Sequence, residues 1–430
     1  MKRSRTLIST VLVVMMFAGG LFANGLSLNS VGTRAMSMGG AFVGLSDDLT
    51  AIYWNPAGLT QVEGFSFEIF ASDIIPIGSY KWNNPLFGID ITAEMNQNHY
   101  ISPNIFMAYN TGDLSFGLGL YVPAGLGTEW NGKDLVQLSN GVPQEWMSKI
   151  AVIDISPSIA YKISDIFSLG AAVNIYYGTF DMKTAANIDP LNTSVQFEES
   201  STGIGYGVSL GTLIKLHERV TFGFTWRTKT TLTMNGTAKN PAFGPVGAPE
   251  SDFDRDVAWP MWIAGGIAFK PSDELTITVD AQLSKWAESS DQFVTKYDNK
   301  IWKAALEAEG DNIIHLNWKN ATQWRIGAEY YLTDKFALRG GYYYDPAPAP
   351  DETVSILFPS SSNDVATLGL GYKAETFFLN VGFEYLFGQE RKVSDDLVDI
   401  TNPALGFKNN MPGFHSLDVF AFSLGFGMNF

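Results

Sequence analysis

The sequence predicts an all-β membrane protein: a fourteen-stranded antiparallel transmembrane β-barrel with a small N-terminal hatch inside its lumen. Three observations carry that expectation. The chain opens with an export signal, it is rich in aromatic residues and glycine with no uninterrupted apolar helix span after that signal, and bulky and small residues alternate with a period of two through much of its length.

The signal comes first. Lys2, Arg3 and Arg5 form a positive region, and Leu7 to Phe17 form an apolar core broken by Ser9 and Thr10. Small residues then lead to a cleavage site after Ala23. A retained anchor is the alternative, but the apolar run is shorter than the ~20 residues a spanning helix needs. The chain thus divides into a signal peptide at 1–23, a hatch at 24–63 and a barrel at 64–430, with the bacterial outer membrane as its destination.

Composition supports strands as the crossing elements. Phe, Tyr and Trp number 30, 17 and 11, and Gly 42, while charged residues make up only 17%. A mean hydropathy of +0.03 is unlike that of a polytopic helical protein, so any crossing is made by strands. The absence of Cys excludes disulfides and thiolate metal sites. The formal net charge of −16 comes without a basic patch, which excludes nucleic acid as a partner and reads as loop solvation.

Alternation is clearest at the C-terminus. Phe420, Phe422, Leu424, Phe426, Met428 and Phe430 are bulky and apolar, while Ala421, Ser423, Gly425, Gly427 and Asn429 between them are small or polar. The even set is expected to face lipid. The same pattern runs through Phe377 to Phe387 and Leu275 to Leu283. Weaker versions complete fourteen spans: Phe65 to Tyr80, Ile101 to Tyr109, Leu114 to Trp130, Ile150 to Tyr161, Phe167 to Thr179, Thr202 to Lys215, Val220 to Thr231, Val257 to Lys270, Leu275 to Trp286, Ala321 to Leu332, Lys335 to Tyr344, Asp364 to Tyr372, Phe377 to Phe387 and Phe414 to Phe430. Tight turns such as Thr111-Gly112-Asp113 and Ala374-Glu375 alternate with longer loops, as periplasmic turns and external loops do. In the longest loop, Ala287 to Asn320, residues Ile301 to Glu309 read as a short surface helix. A soluble sandwich also alternates. Isolated charges at inward positions, Asp280, Arg325, Glu329, Arg339 and Glu384, suit an enclosed wet interior better.

The segment before the first strand does not alternate. Thr33 to Val43 looks helical, Ser46-Asp47-Asp48 can cap a second short helix, and Asn55-Pro56-Ala57-Gly58 is a turn. So short a piece forms no core by itself, and folding inside the barrel would supply the missing burial. An arm on the periplasmic side is the alternative. Within the third strand, Pro123 removes a backbone donor and Gly125 and Gly127 follow. Pairing should break there, either as a bulge near the external rim or as a local opening of the wall.

The run Asn24 to Asn29, then Gly32, Arg34-Ala35, Met38 to Val43, Asp47-Asp48 and Asn55 to Leu59 resembles the start of the FadL/TodX family of hydrophobic-compound transport proteins of the outer membrane. The terminal Phe430, closing an aromatic strand, likewise resembles the signal read by the barrel assembly machinery. The resemblance implies a fourteen-stranded barrel with a hatch. It implies uptake of hydrophobic small molecules, long-chain fatty acids or hydrocarbons, by passive diffusion from external loops to an internal pocket and sideways through a wall gap into outer-membrane lipid. By the same resemblance Leu26 and Leu28 sit near the pocket, Asn55, Pro56 and Ala57 fix the hatch turn, and Pro123, Gly125 and Gly127 form the lateral gate. Related hatch sequences also occur in accessory or assembly barrels, which is the second reading.

Several inward positions are candidates for ligand contact. Arg325 and Arg339 suit a ligand carboxylate, with pairing to Glu329 and Glu384 as the alternative. Phe106, Tyr121, Trp262, Tyr343 and Phe378 suit an apolar pocket or contact with the hatch. Catalysis has little footing, and no cofactor is expected. Gly207-Val208-Ser209-Leu210-Gly211 matches G-x-S-x-G but lies inside an alternating strand rather than at a strand-to-helix turn, so an outer-membrane lipase is the weakest alternative. The four histidines, His99, His217, His315 and His415, have no metal-ligand spacing.

Overall fold

Strands with one bulky face and one small, polar face bury both only if the sheet closes on itself in a bilayer, and the chain does this. The structure, a computed structural model, describes residues 25–188, 191–289, 291–308, 310–397 and 410–430. The expected signal peptide, its cleavage after Ala23 and Asn24 lie outside them. Fourteen strands form the ring: β1 (Phe65–Asn84), β2 (Tyr100–Asn110), β3 (Leu114–Trp130), β4 (Trp146–Lys162), β5 (Phe167–Ile188), β6 (Thr193–His217), β7 (Val220–Arg227), β8 (Trp262–Phe269), β9 (Leu275–Ser284), β10 (Ala321–Tyr331), β11 (Phe336–Asp345), β12 (Asn363–Lys373), β13 (Phe377–Gly388) and β14 (Gly413–Asn429). Each pairs antiparallel with the next, and β1 closes on β14 from Ser66↔Asn429 to Lys81↔Phe414. The even strand number makes that closure antiparallel, and it leaves the sheet no free edge.

Parity on β14 is as expected. Leu424 and Phe430 are 53% and 71% exposed on the outer face, while Ala421 and Ser423 are buried in the lumen. Each predicted span falls on one strand of the ring, although Val220 to Thr231 and Val257 to Lys270 each cross a break into a further strand, and the differences lie at the external ends. β5 and β6 run well past Thr179 and begin well before Thr202, and β7 and β8 continue, after breaks at 228–229 and 260–261, into Thr230–Lys239 and Glu250–Trp259. The reason is an inversion of the pattern. Beyond bilayer height the inward residues become apolar (Phe180, Met182, Phe197, Met234, Phe253) and the outward ones charged or polar (Asp181, Lys183, Glu198, Asp252). An aromatic-rich core fills this external half, with Trp146, Trp286 and Trp302 almost fully buried. The predicted surface helix differs in form. Helix covers only Lys300–Trp302 and passes into a wider π turn over Lys303–Glu307, with Glu309 outside the described residues. Trp302 points inward, its Nε1 donating to the Ala248 carbonyl at 2.7 Å.

Residues 25–63 fill the other half. Helix α1 covers Thr33–Ser37, α2 covers Ala51–Trp54, and a 3-10 turn runs over Pro56–Gln61. The helix expected from Thr33 to Val43 stops early because Gly39 and Gly40 adopt φ of +64° and +62°. That reversal lays Gly39 on the wall, its N–H 3.0 Å from Thr367 Oγ1 of β12. Other bonds reach around the ring: Thr33 Oγ1 to Ser423 Oγ at 2.7 Å, Val43 N–H to Asp280 Oδ2 at 2.8 Å, Asn55 Nδ2 to the Thr212 carbonyl at 2.9 Å, and Thr60 Oγ1 to Ser168 Oγ at 3.0 Å. Asn55, Pro56 and Ala57 are buried, and Asn55 Oδ1 accepts from the Ala57 N–H at 3.3 Å.

Outward apolar positions are expected to respond to charge according to depth. Leu424→Arg should cost about 2–4 kcal/mol near the bilayer midplane, read as a lower urea midpoint for the folded barrel in liposomes. Ser423→Ala, one position away but facing the lumen, should cost far less, and equal losses at the two sites would contradict the assigned faces.

Candidate functional site

Backbone pairing fails over a long stretch between β2 and β3 in the bilayer-height wall. β2 and β3 pair from Asn110↔Ser115 to Ile105↔Leu120 and no further, although β2 remains paired with β1 as far as Ile74↔Tyr100. The pairing of β3 with β4 also shifts register between Tyr121 and Ala124, around Pro123. The result is a window between β2 and β3, closed again at its outer end by the bridge Met95↔Trp130. Three groups replace the missing ladder. Val122 N–H donates to Asn104 Oδ1 at 2.9 Å, Leu28 N–H to the Pro123 carbonyl at 3.0 Å, and Gly125 N–H to the Leu26 carbonyl at 3.1 Å. The start of the described chain is thus paired to β3 as a short strand, with a bridge at Ser27↔Ala124. Tyr100 leans across the window. A Cβ at Gly127 would lie 2.2 Å from its ring, so any larger residue there would displace the tyrosine.

A cavity of about 390 Å³ lies behind the window. Lumen-facing Met36, Phe70, Leu386 and Val419 line it together with Ile101 and Ala151, which face outward from β2 and β4. The cavity therefore passes through the plane of the wall. Residues 346–362, the β11–β12 connection, fold inward over its external side, where Ile356 and Leu357 are fully buried and Trp130 Nε1 donates to the Ile356 carbonyl at 3.0 Å. Pro359, Ser360 and Ser361 of this connection form part of the cavity wall.

Of the nine residues expected to contact ligand, only Leu28 lines this cavity. Leu26 is buried in the external aromatic core. Phe106 and Tyr121 stack at 5.2 Å, with Tyr53 edge-on to Tyr121 at 5.7 Å, and Trp262 lies 6.3 Å from Tyr53. These aromatics pack against residues 25–63 rather than facing open space. Arg325 donates to Gln323 Oε1 and the Gly39 carbonyl and lies 4.1 Å over the Tyr343 ring. With Trp262 it borders a separate void of only about 30 Å³. Arg339 is held by Glu329 at 2.6 Å and by Asn380 at 2.8 Å. Phe378 borders a different cleft at the short-turn end, together with Arg34, Asp47, Asp48 and Arg339. The common cause is that the N-terminal segment occupies most of the lumen, so inward aromatic and cationic side chains find partners on it.

Sequence reading missed Tyr100, Asn363 and Glu384 as cavity residues. For Tyr100 the signal available was its place opposite the Pro123 break; the other two depend on how far the 346–362 connection folds inward. Ser209, in the G-x-S-x-G match, donates to Asn174 Oδ1 at 2.7 Å and accepts from Arg227 Nε at 3.1 Å, so its partners are an amide and a cation rather than a histidine. The cleft at the short-turn end is built on Arg34, which bonds Asp47 at 2.5 Å and Glu329 at 2.7 Å. Burial pushes the nearby Asp48 carboxyl above its ordinary value despite the guanidinium beside it.

Comparison with known proteins agrees with this architecture. Residues 9–430 match the family described as outer membrane protein transport protein (OMPP1/FadL/TodX). The chain is 22% identical to the long-chain fatty acid transport protein of Escherichia coli, over 88% of this chain and 89% of that protein. It is 24% identical to alkane uptake protein A of Marinobacter nauticus over 80% of each. Among solved structures, a Pseudomonas aeruginosa FadL homologue superimposes with a TM-score of 0.77 at 18% identity, over 94% of this chain and all of that one. The Pseudomonas putida toluene transporter TodX does so with a TM-score of 0.72 at 16% identity, over 95% and 100%.

Arg34 is the main electrostatic tie between the N-terminal segment and the wall. Arg34→Ala leaves Asp47 and Glu329 short of a counter-charge and should cost about 3–5 kcal/mol. The expected readout is faster proteolytic cutting within residues 25–63 while the barrel itself stays resistant; unchanged cutting would show that the segment is held by packing alone.

Proposed function

The chain belongs to the OMPP1/FadL/TodX family of outer-membrane transport proteins, and from that premise we propose that it is a passive channel for hydrophobic small molecules which leave sideways through the window between β2 and β3. Residues 25–63 act as the hatch that denies an axial path to water, and the connection at 346–362 acts as the external lid. Leu26 and Leu28, bonded to Pro123 and Gly125, hold the window in its resting form. The observation that carries this reading is the continuity of one cavity from lumen-facing Leu386 and Val419 to lipid-facing Ile101 and Ala151.

The physical logic is that of an apolar solute. Leaving the lumen directly into hydrocarbon keeps its surface away from water throughout, and the hydrophobic effect then favours the step without coupling to an energy source. Long-chain fatty acids and hydrocarbons are both of this class, and two relatives are named for long-chain fatty acid transport and for alkane uptake. A sealed accessory barrel would have no use for a cavity that reaches the bilayer. Export would be directed by the signal peptide and accompanied by its cleavage after Ala23, and insertion would use the barrel assembly machinery acting on β14 and the terminal Phe430.

Straightening β3 provides the test. In the double variant Pro123→Val, Gly125→Val the strand regains a backbone donor and loses its flexible point. Uptake of a radiolabelled sixteen-carbon substrate by cells dependent on this channel should fall several-fold, while the heat-modifiable folded band on gels stays at its wild-type level. Undiminished uptake at normal assembly would refute the lateral route.

A further inference from the structure

The main cavity carries both of its carboxylates at one end. Toward the window it presents Phe70, Ile74, Ile101, Val122 and Ile150 beside neutral Ser102, Asn104 and Thr128. On the opposite side, where β11, β12 and β13 meet the inward connection, it presents Asp345, Ser360, Asn363 and Glu384. Asp345 and Asn363 face each other across the β11–β12 ladder, and Glu384 lies on the strand beyond. Asp345 is held by Asn29 at 2.9 Å and by Gln323.

Unused hydrogen-bonding groups collect at this end. Among the described residues, buried Asn363 Oδ1, an acceptor, and Ser360 Oγ, a hydroxyl that accepts or donates, have no hydrogen-bond partner. Glu384 Oε2 takes bonds from Tyr343 Oη at 3.0 Å and Ser30 Oγ at 3.1 Å, and among the described residues no protein donor reaches its other oxygen. No Lys or Arg lines the cavity among the described residues. Arg325, the cation nearest in role, spends its donors on Gln323 and Gly39 behind the Tyr343 ring. A buried acceptor without a donor is costly, and a second anion brought beside two carboxylates in a low-dielectric pocket costs more.

We propose that this cavity selects amphipathic molecules whose polar end donates hydrogen bonds, a hydroxyl or an ammonium, and turns away ionised carboxylates. The proposal rests on the channel reading above and narrows its substrate class: a fatty acid passes as the neutral acid, whose hydroxyl donates, and a hydrocarbon passes without engaging the polar end. The head group docks against Glu384, Asn363 and Ser360, and the apolar tail points toward the window between β2 and β3. Specificity follows from pairing, because a site built to accept from a donor discriminates strongly against a ligand that lacks one. A volume of about 390 Å³ accommodates one chain or a small ring system with its head.

A matched twelve-carbon series provides the test: dodecanol, dodecylammonium, dodecanoate and dodecane, radiolabelled, presented at pH 8 to cells that depend on this channel. Dodecanol and dodecylammonium should enter roughly tenfold faster than dodecanoate, and the two donor arms tell a neutral hydroxyl from a cation as the preferred head. Glu384→Gln should raise dodecanoate uptake and narrow that ratio; Asp345→Asn serves the same purpose if the first variant does not assemble. Dodecanoate entering as fast as dodecanol, or a ratio unmoved in an assembled variant, overturns the selectivity while leaving the channel intact. Failure of all four to enter faster than in cells without the protein overturns the channel reading and this one with it.

Discussion

Backbone donors and acceptors at bilayer depth find no water, so each must be paired within the protein. The whole architecture is a response to that condition. Closure of β1 on β14 removes the sheet's edges, and the failure of the ladder between β2 and β3, above Ile105↔Leu120, is repaired from three sources. Asn104 takes the Val122 N–H, and the backbone of Leu26 and Leu28 serves Gly125 and Pro123. The start of the described chain is therefore part of the wall as well as part of the lumen filling. A break that costs so many compensating contacts is a place where the wall is weakest, and the cavity lies against it.

The same strands solve two solvent problems in succession. At bilayer height the outside is apolar and the inside polar; higher up, on the external extensions of β5 and β6, the outside carries Asp181, Lys183 and Glu198 and the inside carries Phe180, Met182 and Phe197. The external half is built like a soluble barrel with a hydrophobic core. Within that core Arg255 and Glu199 form a buried pair at 2.6 Å, with the guanidinium 5.2 Å from the Phe180 ring. Such a pair adds little net stability but penalises any packing that separates it, which suits a core that must hold one arrangement.

Charge inside the lower barrel is used the same way. Arg34, Asp47, Glu329 and Arg339 satisfy one another between hatch and wall, while Glu384, Asn363 and Ser360 are left with acceptor capacity facing the cavity. The contrast separates groups that hold the protein together from groups available to a ligand. Residue type alone does not make that distinction, since Glu329 and Glu384 are both inward-facing glutamates on barrel strands.

The sequence by itself determined the barrel, its fourteen strands, the outward set on β14 and the weak point at Pro123, because each follows from local chemistry: period-two alternation, turn residues, and a proline that cannot donate. It also marked residues 24–63 as a segment unable to fold alone. What it left undecided were contacts made between residues hundreds of positions apart. Strand ends at Thr179 and Thr202 were misplaced because the alternation inverts without stopping, and the helix from Thr33 was read too long because Gly39 turns to meet β12. The ligand-contact expectations for Phe106, Tyr121, Trp262, Arg325, Arg339, Tyr343 and Phe378 went elsewhere, since how much of the lumen the hatch fills is a matter of packing. Only the tertiary structure decided where empty space remains, because a cavity is defined by the side chains that fail to reach it.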